Sequence, residues 1–182
     1  MSNITIKDNY VDFKDLVQKR RSHRKFTGEA VSQEDIRLIL RAALMAPTGK
    51  GLRKWHFAVT TDRQKIEALS EIRPSGSQFV AGAAAVIAVM GGEDNELWVE
   101  DCSIAATVMQ FQIEDLGLGS CWCHVRGRQS TVEGVSAEDR VREILHTPTS
   151  FPILCLIALG HPCDERKPQQ EEALLWDHVE FL

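Results

Sequence analysis

The stretch LWVEDCSIAATVMQFQIEDL, residues 97–116, decides the fold. Apolar side chains surround the middle of this stretch on almost every side, whereas a helix at the surface carries them on one side only. The stretch therefore predicts a long helix at the centre of the core. Gly117 and Gly119 follow directly and predict where the helix ends, because glycine adopts the left-handed backbone of a helix C-terminus without strain.

Apolar runs on either side of this helix predict the strands that pack against it. The run from Ala83 to Met90 has no polar alternation, which is typical of a strand buried on both faces. Further strands are predicted at 55–60, 120–125 and 153–159, and further helices at 10–19, 32–46, 62–72 and 137–145. About five helices around a sheet of about four strands indicate an α+β fold. The chain length favours a single domain spanning residues 1–182.

Length and composition exclude several classes of protein. The 182 residues are 43% hydrophobic and 26% charged, as expected of a folded domain rather than a disordered chain. The net charge of −5 disfavours a general nucleic-acid or anionic-membrane binder, since both need a basic surface. No apolar run has the length of a membrane span or of a signal peptide, so the expected location is the cytoplasm.

The cysteine and histidine positions do not favour a metal site. Five cysteines, an odd number in an intracellular chain, are expected to be free thiols. The sequence Cys121-Trp122-Cys123-His124 contains zinc-binding types of side chain, but it offers one closely spaced pair and no second pair. On a strand, moreover, Cys121 and Cys123 would lie on one face and His124 on the other. No metal is therefore predicted.

One basic segment has the composition of a small-anion site. An extended backbone over Arg20-Arg21-Ser22-His23-Arg24 places Arg20, Ser22 and Arg24 on one face. Two guanidinium groups and a hydroxyl on one face suit a phosphate. The residues leave an alternative open, in which this segment is a solvated connector whose cations offset the dipole at a helix end.

A second segment, from Pro47 to Trp55, combines glycines with Lys50, Arg53 and Lys54. Glycines allow a ligand to approach the backbone closely, although an ordinary helix-to-strand loop has the same composition. The chain contains no P-loop, no dinucleotide fingerprint and no hydrolase nucleophile motif. Any chemistry is therefore expected to belong to a bound cofactor.

Four motifs, in the same order along the chain, resemble those of the FMN-dependent nitroreductase family. The first is 20–26, which corresponds to R-R-S-x-R-x-F, and the second is 46–57, which corresponds to A-P-S-x-x-N-x-Q-P-W-x-F. The third is D-x-x-x-A at 101–105, followed by G-L-G-S-x-W at 117–122. The fourth is L-G-H-P at 159–162 with R-K-P at 166–168. The resemblance covers about residues 10–182.

The resemblance implies a nitroreductase-like fold, with a mostly antiparallel central sheet flanked by helices. It also implies a homodimer that exchanges C-terminal tails and holds two FMN molecules at the subunit interface. The cofactor-binding positions implied by the family motifs are Arg20, Arg21, Ser22, Arg24, Pro47, Thr48, Gly49, Gly51, Cys121, Trp122, Cys123, His124, Arg166 and Lys167.

The implied roles of these positions differ. The first arginines and Ser22, with Arg166 or Lys167, would hold the phosphate and ribityl chain. Arg24 would stand beside the flavin N1–C2 carbonyl, where a cation stabilises the negative charge that reduction produces. Residues 47–49 would reach the flavin from the other subunit, and the backbone amides of 123–125 would face its N5–O4 edge. No side chain is assigned as catalytic, because flavin N5 carries the chemistry; Arg24 and His124 are candidates for auxiliary roles.

The predicted function is hydride transfer from NADH or NADPH, through FMN, to an electron-poor small molecule such as a nitroaromatic or a quinone. Two departures from the family motif bear on it: Gly51 replaces an Asn, which would loosen FMN, and Arg53-Lys54 replaces Gln-Pro. One alternative is a degenerate flavin-binding sensor or store, motivated by Gly51. Another is a family enzyme with a different acceptor, such as a flavin reductase or a reductive dehalogenase.

The C-terminal segment, residues 173–182, is too apolar to be left in water, yet it follows a polar stretch at 164–172. Such a tail packs either on its own domain or on a partner, and an exchanged tail in a homodimer is one such arrangement. The resemblance favours the packing on a partner subunit.

Overall fold

The computed structural model describes residues 12–182. The helices in this range are α1 (Phe13–Lys19), α2 (Gln33–Leu44), α3 (Arg63–Ser70), α4 (Trp98–Asp115) and α5 (Ala137–Leu145). The strands are β1 (Trp55–Thr60), β2 (Ala85–Gly91), β3 (Gly119–His124) and β4 (Ile153–Gly160). The predicted α+β class is confirmed, and the first two positions of the helix predicted at 10–19 lie outside the described residues.

The four strands form one sheet in the order β1-β2-β4-β3, and every neighbouring pair is antiparallel. The two inner strands, β2 and β4, are buried along their whole length, as the absence of polar alternation predicted. Helices α2 and α4 cover one face of the sheet. Helices α3 and α5, with a 3₁₀ turn at 78–82, cover the other.

The helix ends follow from local side-chain chemistry. The Ser32 hydroxyl accepts a hydrogen bond from the Asp35 N–H at 3.0 Å, which caps the start of α2 in the way its sequence predicts. At the other end of α4, Gly117 adopts a φ of +73°, and the Leu118 N–H donates to the Ile113 carbonyl at 3.0 Å. This left-handed turn reverses the chain into β3.

Helix α4 is the central helix, but residues 12–182 do not enclose it on all sides as the sequence predicted. Cys102, Ala105, Met109 and Ile113 are buried against the sheet, whereas Ile104 is 41% exposed. The side of α4 that carries Ile104 is therefore open in the part of the chain that the structure describes. None of the helices within residues 12–182 combines the length and the apolar character that crossing a membrane requires.

Truncation of a side chain in the buried strand pair tests the two-faced core. Ile157→Ala removes a fully buried side chain from β4, which is expected to lower the free energy of unfolding by about 2 to 5 kcal/mol. The matched control is Val132→Ala, at a residue that is 46% exposed, with an expected change within about 0.5 kcal/mol. Urea unfolding at one fixed protein concentration measures both, and equal losses would contradict this view of the core.

Candidate functional site

Residues 20–24, named here the basic arm, run beside the free edge of β3. The His23 N–H donates to the Ser120 carbonyl at 2.9 Å, and Ser22 forms a parallel bridge with Ser120. Because β3 is an outer strand of the sheet, this pairing gives its open edge a backbone partner. The arm is extended where it pairs with β3, and an extended backbone places Arg20, Ser22 and Arg24 on one face.

The chain after β4 returns to the same place. The Thr27 N–H donates to the His161 carbonyl and the Cys163 N–H donates to the Lys25 carbonyl, both at 3.0 Å. These two hydrogen bonds bring residues 161–166 alongside the arm. Arg166, far from the arm in sequence, thereby reaches it.

Asp164 joins the two segments. Its Oδ1 lies 2.7 Å from His23 Nδ1, and its Oδ2 accepts from Arg166 Nη2 at 2.8 Å and Nε at 3.0 Å. The Arg24 N–H also points to Oδ2, at 3.4 Å. Burial raises the pKa of Asp164, but the hydrogen bonds from His23, Arg166 and Arg24 lower it more, so its pKa lies below the ordinary value. Asp164 is therefore a carboxylate at neutral pH.

Several of the predicted phosphate ligands meet near the Cys121 thiol on β3. Burial raises the pKa of Cys121, and Arg24, the Ser22 hydroxyl, Arg166 and Arg20 each offset part of that rise. These electrostatic contributions place the three guanidinium groups and the Ser22 hydroxyl in the neighbourhood of the Cys121 thiol. The structure therefore brings these four residues together into a locally basic site on an acidic protein.

The remaining two cations predicted for this site lie differently. The backbone N–H of Arg21 faces Glu114 on α4, and burial raises the pKa of that carboxyl although His23 and Arg20 are close. Lys167 is exposed, in the segment that leads to the tail.

The second predicted segment is anchored rather than free. The Gly49 N–H donates to Asp101 Oδ1 at 2.8 Å, and the other oxygen of Asp101 accepts from Asn95 Nδ2 at 2.8 Å. Asp101 itself is only 2% exposed. Across the loop, the Arg53 N–H donates to Thr48 Oγ1 at 3.1 Å. Residues 48–53, named here the glycine loop, are thus held against the N-terminal end of α4.

The glycine loop has an unusual backbone. Lys50 and Arg53 have φ values of +54° and +52°, and Gly51 between them has +66°. A left-handed backbone costs a non-glycine residue about 1 to 3 kcal/mol, and such strain concentrates at functional sites. A Cβ at Gly51 would have no atom within 4 Å. The space that the asparagine of the family motif would occupy is therefore open here.

The end of β3 carries Trp122 and His124 on one face and the buried Cys121 and Cys123 on the other, as predicted. The Trp122 Nε1–H donates to His124 Nδ1 at 3.4 Å. Burial lowers the pKa of His124, and nearby Arg128, Arg73 and Arg126 lower it further. Its imidazole is therefore neutral at pH 7, which disfavours the auxiliary role of proton donor.

The backbone amides at this end differ in direction. The Val125 and Arg126 N–H groups both donate to the Leu154 carbonyl at 3.1 Å. Since amides alternate along a strand, the Cys123 amide also faces β4, and the His124 amide faces the open edge. Of residues 123–125, His124 is therefore the one whose N–H is directed toward a ligand at that edge.

The basic arm and the glycine loop lie far apart within one chain. The arm faces Glu114 near the end of α4, whereas the loop is tied to Asp101 near its start, about 20 Å away along the helix axis. The arm also borders β3 and the loop leads into β1, at opposite edges of the sheet and about 14 Å apart across it. The predicted cofactor residues therefore form two separate groups in the chain.

Sequence reasoning missed Asp164 and His23, which hold the arm and Arg166 together. The local pattern carries no signal for this contact, since the two residues are separated by 141 positions. Asp101 appeared in a motif without a role, and the structure supplies one as the anchor of the glycine loop.

Comparison with known proteins identifies the family of this chain. The sequence model of the nitroreductase family matches residues 17–74 and 73–161. A solved structure described as an FMN-dependent nitroreductase from Clostridium difficile R20291 is 39% identical, with a TM-score of 0.88 over 91% of this chain and 96% of that one. A relative from Thermus thermophilus, named NADH dehydrogenase, is 28% identical over 207 residues, 91% of this chain and 96% of the relative.

An archaeal protein is related at a similar level. The Archaeoglobus fulgidus relative, whose name gives NADH dehydrogenase/NAD(P)H nitroreductase as its expected activity, is 30% identical over 155 residues, 83% of this chain and 86% of the relative. The fold that the resemblance implied is thus confirmed. The chain belongs to the nitroreductase family and is an oxidoreductase of that family.

Removal of the Asp101 carboxylate tests the anchoring of the glycine loop. Asp101→Ala leaves the Gly49 N–H and the Asn95 amide without their acceptor, at an expected cost of about 1 to 3 kcal/mol in unfolding free energy. Trypsin is expected to cut faster after Lys50 and Arg53 in this variant, because the loop is released. Mass spectrometry of timed digests gives the cleavage rates.

The matched control is Glu96→Gln, which removes an exposed ion pair to Lys50 of 2.8 Å. Exposed pairs contribute about 0 to 1 kcal/mol, so stability and cleavage are expected to stay near the wild-type values. Similar cleavage in both variants would mean that Asp101 does not hold the loop.

Proposed function

We propose that this protein binds FMN and uses NADH or NADPH to reduce an electron-poor small molecule such as a nitroaromatic or a quinone. The observation that carries the proposal is that the arm pairs with the edge of β3 and that Asp164 holds Arg166 beside it, so that Arg20, Arg24, Arg166 and the Ser22 hydroxyl all lie near Cys121. Three guanidinium groups suit the phosphate of a mononucleotide. The similarity to a protein described as an FMN-dependent nitroreductase supports FMN as that mononucleotide.

The residues present fit this cofactor. Bound FMN supplies the chemistry of accepting a hydride from a reduced nicotinamide and passing it to an acceptor. The chain's own residues bind and orient: the arm and Arg166 neutralise the phosphate, and the His124 N–H offers a donor at the open strand edge. The guanidinium of Arg24 lies 5.9 Å from the centre of the Phe79 ring, a contact that helps to hold this cation in place. A fixed cation here would stabilise the negative charge that reduction places on the flavin.

No side-chain acid or base is assigned, because the neutral His124 is a poor proton donor and the buried thiols remain protonated. Burial raises the pKa of Cys123 to about 11, well above neutral pH. Water then supplies the protons that the reduced product takes up. The reductant is a cytoplasmic metabolite, so we place the enzyme in the cytoplasm.

We further propose that two copies of the chain build each site. The glycine loop lies at the opposite end of α4 from the arm, so it is positioned to meet the FMN held by the arm of a second copy. Uncovered apolar surface supports the pairing. Ile104 on α4, Phe13 on α1 and Met45 after α2 are all exposed in the single chain, and exposed apolar surface of this kind marks an interaction site.

The tail provides a second argument for pairing. Residues 173–182 expose six large apolar side chains, Leu174, Leu175, Trp176, Val179, Phe181 and Leu182. An open groove beside α2 is lined by Leu40, Leu44 and Met45 together with Arg37, Arg41 and Arg53. The tail is acidic as well as apolar, since Asp177 and Glu180 lie among its apolar residues and Glu171 and Glu172 directly precede it. Charge and polarity therefore match it to this groove on a second copy.

The visible spectrum of the purified protein tests the cofactor. The protein is expected to be yellow, or to become so when FMN is added and unbound flavin is removed. Under anaerobic conditions, NADH or NADPH is expected to bleach the colour, and a nitroaromatic or quinone to restore it. A protein that stays colourless and retains no added FMN would refute the proposal, while bound flavin that neither nucleotide bleaches would favour the sensor or store.

A substitution in the tail tests the pairing of subunits. Trp176, 62% exposed in the single chain, is expected to be buried in the dimer, so Trp176→Ala should weaken dimerisation by about 2 kcal/mol, or about 30-fold in Kd. Analytical ultracentrifugation over a range of concentrations measures the change. Deletion of residues 173–182 is expected to yield monomers that retain little FMN.

The control for the tail variant is Val132→Ala, which removes another exposed apolar side chain that lies outside the tail. It is expected to leave the dimer Kd unchanged. A wild-type protein that is monomeric at micromolar concentration, yet holds FMN, would contradict the proposal that each site needs two chains.

A further inference from the structure

We propose that Asp164 is a positioning residue for the anion site, because its carboxylate orients the guanidinium of Arg166 toward the phosphate. This inference rests on the proposed function, since it takes the phosphate of FMN as the anion. The obvious objection is electrostatic: a carboxylate among phosphate ligands repels the phosphate. The contacts of Asp164 explain why it is nevertheless expected to strengthen binding.

Asp164 is a buried carboxylate with a donor on each oxygen. Its side chain and that of His23 are each 11% exposed. Oδ1 faces His23 Nδ1 at 2.7 Å, and Oδ2 accepts from Arg166 and, more distantly, from the Arg24 N–H. A charged acceptor with donors on both oxygens has a single preferred orientation, so it holds its donors in fixed directions.

The contact with Arg166 leaves much of its guanidinium free. Asp164 Oδ2 takes one N–H from Nε and one from Nη2, at 3.0 and 2.8 Å. A guanidinium has five N–H donors, so three remain, on Nη1 and on the outer side of Nη2. The Arg166 side chain is 39% exposed. A surface arginine that would otherwise sample many rotamers is thus held beside the arm, which Asp164 also contacts, with three N–H donors left for a ligand.

His23 fixes Asp164 to the sheet. The His23 backbone donates to Ser120, so its ring is tied to the edge of β3. A Cβ at Gly119 would lie 2.9 Å from the Cβ of His23, which shows how closely His23 packs on that strand. The orientation of Arg166 is therefore transmitted from the strand edge through His23 and Asp164.

Charge and positioning predict opposite signs for the loss of this carboxylate. If Asp164 acted through its charge alone, its removal would reduce repulsion and tighten the binding of FMN. If it positions Arg166, its removal leaves that guanidinium mobile and weakens the binding of FMN. Arg166 contributes to binding only when the ligand carries a phosphate. The affinity for riboflavin, which lacks one, is therefore expected to stay unchanged.

Equilibrium dialysis of the full chain with FMN and with riboflavin separates these cases. Asp164→Asn keeps the shape of the side chain and removes the charge. We expect the Kd for FMN to rise at least fivefold and the Kd for riboflavin to change less than twofold. The matched control is Glu165→Gln, which removes the exposed carboxylate next in sequence; its Kd for FMN is expected to stay the same or to fall slightly.

A pair of variants at His23 tests the same arrangement without touching Asp164. His23→Asn places an amide N–H close to the position of Nδ1 and is expected to keep the Kd for FMN within about twofold. His23→Leu removes the donor, so it is expected to weaken the binding of FMN and to leave the binding of riboflavin unchanged. Thermal unfolding of each variant is followed in parallel, and binding is compared among variants that unfold cooperatively.

Two outcomes overturn the inference. Unchanged or tighter FMN binding in Asp164→Asn means that the carboxylate does not position Arg166. Equal weakening of FMN and riboflavin means that Asp164 maintains the fold rather than the anion site. A wild-type chain that binds neither flavin refutes the proposed function itself, and the inference with it, and so is distinguished from both.

Discussion

The structure depends on the need to cover both faces of the β2–β4 pair. Every residue of these two inner strands is buried, so their side chains require an apolar layer above and below the sheet. Helices α2 and α4 provide one layer, and α3 and α5 the other. Because neither strand has an open edge, all solvent-facing chemistry is displaced to the rims of the sheet and to the ends of α4.

The candidate site follows from this displacement. The edge of β3 is a row of backbone groups that the basic arm partly occupies, and its open part begins where the arm departs. At that point the arm, the return of the chain after β4 and the end of β3 meet. The net charge of −5 conceals this local concentration of guanidinium groups, which is what an anionic ligand encounters.

The division of the predicted residues into two groups is the strongest structural argument for a shared site. In one chain the glycine loop and the arm are separated along α4 and across the sheet, so the two groups are too far apart to line one pocket together. The chain also presents an apolar side of α4 and an apolar tail that nothing within residues 12–182 covers fully. The second copy that we propose would satisfy both requirements with the same contacts, because a twofold interface pairs each group with its complement.

Local patterns in the sequence predict the inner strands, the central helix and several helix ends. Apolar runs without alternation specified the inner strands, all-round hydrophobicity specified the central helix, and Ser32 and Gly117 marked helix ends through local hydrogen bonds. The order of four motifs identified the family. Such signals are readable because their causes are local in the chain or repeat with a fixed period.

The contacts between residues that are distant in the chain follow from the packing of the elements and from no local pattern. The contact of Asp164 with His23, the anchoring of the glycine loop by Asp101 and the incomplete cover of α4 each join segments that no periodic pattern links. They arise because the sheet order places the arm beside β3 and the loop beside β1. Charged groups are buried together, and a carboxylate accepts hydrogen bonds, according to which residues are close in the folded structure rather than in the sequence.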